Sequence, residues 1–464
     1  MDVETNYGIA TAMFSAKAPV MLEKGVPELI YLPTAIIIPD VGSAELEITY
    51  GTYTDIENIN IVPSKGNLSR SIDPTTVPYV KGEVYNQNAF FPGTLATINE
   101  TFIMRDVIGM TVFAYPIQYN PVTKTLRIYF EMTVTVNYND NKGINEFTSQ
   151  KRNATIDPAF SQMYQNLFLN YGSLSRAYPT EEEGELLIIC HPPFMDAMKP
   201  FIDWKRTIGR KTTMVSTIVT GTTPAGIKSY IQNYYNNSNN NLAYVLLVGD
   251  SPQIPPHGRS PESSGNAYGE YSDNIYGQLQ SGNDMDVLIG RMSAENIAHV
   301  QTQVQRSIHY ERDITTNATW LNKAMGLAYN EGHGKGHDGG EADDVHMDNI
   351  RDRLLTYGYN PVYREYDGYI YLPNTTAALI TQRIDEGVGM INHCNHGDEV
   401  GWSVGGYRIA NVNALRNTGR LPFIYSVACL NGYFIRPTCF AEAWMRASLD
   451  GQPTFTIRNS SIGH

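Results

Sequence analysis

Two short segments carry residue types that could do covalent chemistry. Asn395-His396-Gly397-Asp398 and Ser426-Val427-Ala428-Cys429-Leu430-Asn431-Gly432 each follow an apolar, strand-like run, residues 388–392 and 422–428. Each run ends abruptly in a reactive side chain beside a small or polar one. In an open α/β sheet, ligands bind outside the carboxyl ends of parallel strands. A His at one strand end and a Cys at its neighbour can meet there as general base and nucleophile. Gly397 has no side chain, so its backbone N–H can approach a developing oxyanion. The chemistry implied is that of a thiol peptidase. A lone Cys in an apolar run is most often a small buried hydrophobe, and histidines are mostly structural or exposed; the matched pair of strand ends is what favours catalysis.

Other candidates compete for these roles. Cys439 opens a helix expected over residues 440–449, and a helix N-terminus lowers a thiol's pKa. Cys429 is preferred because strand ends converge, whereas Cys439 falls about one turn away. Cys394, two residues before His396, is expected as a wall or core residue, and His393 lies inside the strand. An acid would hold the His tautomer. Glu331 follows the apolar strand 324–329, at a third strand end; Asp398 and Glu399 are nearer in sequence but can be solvated.

Residues 333–346 hold three His and four acids, yet their spacing matches no zinc motif. A loop leading into a helix, or a carboxylate lining a pocket for a cationic side chain, remain the readings. Gly282-Asn283-Asp284-Met285-Asp286, with Asp250 at another strand end, could supply oxygens to Ca²⁺ or form an ordinary Asx-rich turn.

The elements that must position these groups follow a strand–helix rhythm from residue 185. Continuous apolar strands (186–189, 244–248, 324–329) alternate with helical stretches (195–208, 224–235, 294–312, 343–355, 377–386), which indicates a parallel sheet covered on both faces. The first 140 residues differ: residues 125–138 alternate apolar and polar side chains, a half-buried strand, and no long helix is expected. This is an all-β domain, sandwich- or jelly-roll-like. Residues 140–183 are transitional, with a short helix over 158–171 and Arg176 in an exposed linker open to cleavage.

The 464 residues suggest two or three domains. A formal charge of −13 argues against nucleic acid as a partner. Four cysteines are too few for a disulfide framework at this length. No apolar run could span a bilayer, and the N-terminus lacks the basic and apolar regions of a signal peptide.

Beyond these residue-level readings, several motifs resemble the gingipain family of cysteine peptidases, above all its arginine-specific branch. They are Tyr244-Val245-Leu246-Leu247-Val248-Gly249-Asp250, Ile308-His309-Tyr310-Glu311-Arg312, Asn395-His396-Gly397, Val427-Ala428-Cys429-Leu430-Asn431-Gly432 and Pro437-Thr438-Cys439-Phe440-Ala441-Glu442-Ala443. The N-terminal part is similar to the family's prodomain through Pro63-Ser64-Lys65-Gly66, Phe90-Phe91-Pro92-Gly93 and Gln118-Tyr119-Asn120-Pro121. The resemblance implies a β-rich inhibitory prodomain over residues 1–176 and a caspase-like α/β peptidase domain over 177–464. It implies Cys429 as nucleophile, His396 as base and Glu331 as its orienting acid, with the Gly397 and Cys429 N–H groups as oxyanion hole. It also implies Asp343 at the base of an S1 pocket for Arg, Arg70 as an inhibitory pseudo-substrate and Arg176 as the activation cleavage point. A structural Ca²⁺ held by Asp250, Asp284, Asp286 and Glu341 follows from the same resemblance, with no cofactor for the chemistry.

The expected partners are peptide or protein substrates cleaved after Arg and the chain's own prodomain. The expected location is outside a bacterial cell or on its surface. Family catalytic domains continue past the point where this sequence stops, so the chain is expected to be C-terminally truncated. The rival expectation is an inactive homologue serving as a binding or inhibitory module.

Overall fold

Among the described residues from Glu185 onward, eight parallel strands build two sheets, the parallel α/β architecture expected. The first comprises β1 (Glu185–Cys190), β2 (Thr212–Ser216), β3 (Leu242–Val248) and β4 (Leu288–Met292), ordered β2-β1-β3-β4. The second comprises β5 (Ala324–Tyr329), β6 (Val362–Asp367), β7 (Met390–Cys394) and β8 (Phe423–Val427), ordered β6-β5-β7-β8. Helices α1 (Met195–Thr207), α2 (Pro224–Asn236), α3 (Ile297–Ile308), α4 (Asp343–Tyr357), α5 (Ala377–Glu386) and α6 (Phe440–Arg446) accompany them. β1 is buried at every residue and β5 at all but its last. That is why these strands read as unbroken apolar runs.

The structure, a computed structural model, describes residues 1–15, 18–69, 72–147, 155–173, 180–265, 267–280, 284–332, 341–369 and 373–447. Arg70 and Arg176 lie outside the described residues. The chain divides into two compact units: Met1–Glu181 with Gln280–Asp284 and Gly332–Glu341, and the remainder.

Among the described residues, the strands of the first unit pair almost wholly antiparallel. Leu32–Ile38 runs against Val107–Ala114, Ser43–Tyr50 against Met132–Asn139, and Tyr53–Ile56 and Ile117–Asn120 flank Thr125–Tyr129. The long alternating run expected over 125–138 is therefore two strands, Thr125–Tyr129 and Met132–Asn139, in different sheets. Exposed Phe130 marks the corner between them. Alternation survives a change of sheet because both strands keep one face inward, so periodicity alone could not reveal the break.

The core of the second sheet lies beneath the reactive loops. Met325, Leu327, Ile391, Trp402, Phe440 and Trp444 belong to one buried cluster. Among the described residues, no helix is long and apolar enough to cross a membrane.

Candidate active site

In the order β6-β5-β7-β8, the chain winds outward from β5 to β6 and returns past it to β7. The crevice between β5 and β7 is thus a switch point, where ligands bind in doubly wound sheets. Glu331 stands just past the end of β5, and His396 just past the end of β7. His396 Nε2 lies 3.3 Å from Glu331 Oε1. The imidazole is 68% exposed on its side-chain surface, accessible to a substrate while its ring is held by the acid.

Cys429 follows β8, the neighbour of β7. Cys394 of β7 pairs in register with Val427 of β8, and Asn395 N–H donates to Val427 O at 3.3 Å. His396 and Cys429 each lie two residues past that matched pair, beyond the ends of strands that run about 4.8 Å apart. Cys429 is exposed, and its N–H finds no acceptor among the described residues. Leu430, directly after it, has φ +58°. A left-handed turn at a non-Gly residue is strain of the kind that functional sites hold.

A buried amide locks the two loops together. Asn431 Nδ2 donates to Asp398 O at 2.7 Å and Gly401 O at 3.0 Å, while its Oδ1 accepts from Ser426 Oγ at 2.8 Å. Trp402 Nε1 donates to the same Ser426 hydroxyl at 2.9 Å. Gly397 is pressed into this junction: a Cβ there would come within 2.7 Å of Asn431 Nδ2 and 2.9 Å of Ala428 Cβ. Close packing against the Cys loop, not a positive φ, is what demands glycine here.

The competing groups are set aside by burial. His393 is buried with neither ring nitrogen hydrogen-bonded among the described residues, and it stacks on Trp402 at 4.8 Å between ring centres. Burial pulls its pKa down to about 3, so it is a neutral core ring. Cys439 does cap α6, but it is fully buried, and desolvation pushes its pKa up to about 12. Loss of hydration outweighs the helix N-terminus. Cys190 is buried likewise, and its pKa is pushed up to about 12. Asp398, one of the alternative acids, is held by Arg408 at 2.7 and 2.5 Å. Burial alone would raise its pKa, but Arg408 and the Val400 N–H keep it below the ordinary carboxylate range.

Asp343 opens α4 and is buried. Its N–H donates to Glu331 O at 3.0 Å, its Oδ2 accepts from Asn395 Nδ2 at 2.9 Å, and Cys394 Sγ lies 3.8 Å from its Oδ1. Cys394 is therefore a wall of the Asp343 environment, as expected. Glu331, Asp343, Asn395 and His396 form one connected cluster.

Two of the carboxylates expected to hold calcium have protein partners in this structure. Asp250 Oδ2 faces Arg446 Nη2 at 3.0 Å, and its Oδ1 accepts from the Ser251 N–H at 2.6 Å. Asp286 Oδ2 accepts from the Leu279 N–H at 2.6 Å. Among the described residues, no group of three or more His, Cys, Asp or Glu side chains is arranged to hold a metal ion.

Sequence reasoning passed over Asn395, Asn431 and Arg408. Asn395 and Asn431 sit inside the quoted motifs, and a polar amide beside a reactive residue was the available signal.

The match to known proteins runs along nearly the whole chain. The model of peptidase family C25 matches residues 179–459, and that of the C25 propeptide residues 1–175. Gingipain R2 of Porphyromonas gingivalis is 38% identical over 98% of this chain and 60% of its own length. Gingipain R1 of the same species is also 38% identical over 98% of this chain, and over 45% of its own length. The chain thus spans less than two thirds of the curated relatives it matches. The crystal structure of the Arg-specific cysteine proteinase gingipain R aligns at a TM-score of 0.54 with 35% identity, covering 60% of this chain and 62% of that one. The two family models, which match residues 1–175 and 179–459, place this chain in the gingipain family, peptidase family C25.

Proposed function

We propose that this chain is the proform of a cysteine endopeptidase that cleaves after Arg. What supports this most directly is that Glu331, His396 and Cys429 all stand past the carboxyl ends of the adjacent strands β5, β7 and β8. In the proposed reaction the Cys429 thiolate attacks the scissile carbonyl carbon, His396 taking the thiol proton and passing it to the leaving amine. Water then hydrolyses the thioester. The N–H groups of Cys429 and Gly397 are the proposed donors to the oxyanion. Glu331 holds the imidazole and stabilises its charged form.

The Arg preference rests on buried Asp343, whose carboxylate suits a guanidinium, and on the relatives named for arginine specificity. Latency rests on the propeptide match and on a solved complex of the pro- and mature domains of P. gingivalis RgpB, 35% identical to this chain. Arg70 is the proposed pseudo-substrate, and Arg176 the proposed cleavage point. Export from a bacterial cell is part of the same proposal.

The test is labelling with an arginine-based, thiol-reactive affinity probe before and after cleavage at Arg176. Labelling that requires both cleavage and Cys429 is expected. A folded chain that labels in neither state would instead favour the binding-module reading.

A further inference from the structure

Asn395 sits between two carboxylates that the proposed function assigns to different tasks. Its Nδ2 lies 2.9 Å from Asp343 Oδ2 and 3.4 Å from Glu331 Oε2. Glu331 Oε1 in turn lies 3.3 Å from His396 Nε2. A primary amide has two N–H donors and can serve both acids at once. The Asn395 backbone is fixed by its bond to Val427 O in β8, so the amide has little freedom to follow either partner. The Asp343 N–H donates to Glu331 O at 3.0 Å, which ties the start of α4 to the end of β5. A continuous polar path therefore runs from Asp343 through Asn395 and Glu331 to the imidazole.

We propose that Asn395 is a positioning residue that couples occupation of the S1 carboxylate to the alignment of His396. The inference rests on Asp343 as the S1 acid and on His396 as the base. Donation to an ionised carboxylate is charge-assisted and strengthens with the acceptor's charge. In the free site the amide leans on Asp343, the shorter of its two contacts. A guanidinium at Asp343 neutralises that charge and weakens its hold on the amide, which then donates more fully to Glu331. Glu331 is thereby fixed for His396 when a cationic side chain is bound. A neutral side chain leaves the amide with Asp343. Discrimination for Arg would then be expressed in kcat, not only in binding.

The experiment measures kcat and KM for paired peptide substrates carrying Arg or its uncharged analogue citrulline. The full chain is used after propeptide cleavage, with Asn395→Ala and Asn395→Ser compared at verified folding by thermal melts. Both variants are expected to lower kcat for the Arg substrate by roughly tenfold or more, the effect of one lost hydrogen bond to a charged group. The loss with citrulline is expected to be clearly smaller, with KM moving less than about threefold. In the Asp343→Asn background the same Asn395 substitutions should no longer alter the Arg-to-citrulline ratio of kcat. Equal losses of kcat on both substrates, or a change confined to KM, would overturn the coupling and leave Asn395 a structural or ground-state residue. An unsubstituted chain that cleaves both substrates alike would overturn the S1 assignment itself, and the coupling with it.

Discussion

At the scale of single residues, burial decides which of several equivalent side chains can react. His393 and His396 are three positions apart, yet one is a neutral ring stacked on Trp402 and the other is solvent-facing and held by Glu331. The contrast has a pH signature. The folded state holds His393 neutral down to about pH 3, while an unfolded chain protonates it near pH 6.5. Between those values the unfolded state binds the extra proton, so stability falls as pH drops below about 6.5. From pH 8 to pH 5 this one group should cost about 2 kcal/mol. Denaturant melts of His393→Phe should show that much less acid sensitivity than the parent chain, since neither ring nitrogen has a bond to lose. Three of the four thiols sort the same way. Cys429 is exposed while Cys190 and Cys439 are buried with raised pKa. Mild alkylation near neutral pH should therefore modify Cys429 ahead of either, as mass spectrometry of the native protein can check.

At the scale of elements, two loops from neighbouring strands are fastened by one amide. Asn431 satisfies two carbonyl oxygens of the His-bearing hairpin and one hydroxyl below the Cys loop, all in a buried position. Asn431→Ala would strand these partners and should cost about 3 kcal/mol, measured by denaturant unfolding. Asn431→Asp should be at least as harmful, because a carboxylate oxygen would face the Asp398 and Gly401 carbonyls. Gly397→Ala tests the same junction from the other side. Its methyl would overlap Asn431 and Ala428, so it should lower both activity and melting temperature, by about 1–3 kcal/mol in stability.

At the scale of the peptidase unit, α6 bolts the first sheet to the second. Arg446 bonds Ser293 Oγ at 2.7 Å, Glu442 at 2.6 Å and Asp250 at 3.0 Å, all with side chains almost wholly buried. Arg306 of α3 reaches the C-terminal carbonyls of α6, with Trp444 O at 3.1 Å and Met445 O at 2.5 Å. Burial pushes the pKa of Glu442 up against the pull of Arg446, so the carboxylate depends on its partner to stay charged. Arg446→Met would leave two buried acids without their cation and should destabilise the unit by about 3–5 kcal/mol in chemical denaturation. Replacing Glu442 and Arg446 together with apolar residues should cost less than the single change, because one buried acid, Asp250, rather than two is then left without its cation.

Much of this was legible in the chain. Apolar runs ending in Glu331, His396 and Cys429 mark three strand ends, because strands buried on both faces must be continuously apolar and polar residues must follow where the sheet stops. The strand–helix rhythm marks a parallel α/β unit, since parallel neighbours need a crossover. What sequence could not supply was pairing. That eight strands divide into two sheets, that the alternating run over 125–138 turns a corner at Phe130, and that Asp250 faces Arg446 all depend on contacts between residues far apart in the chain. The bridging role of Asn395 is of this kind too. Its amide is one polar side chain among many until the ends of β5 and β7 and the start of α4 meet around it. Local pattern determines which face of an element is buried; only tertiary packing decides which partner it is buried against.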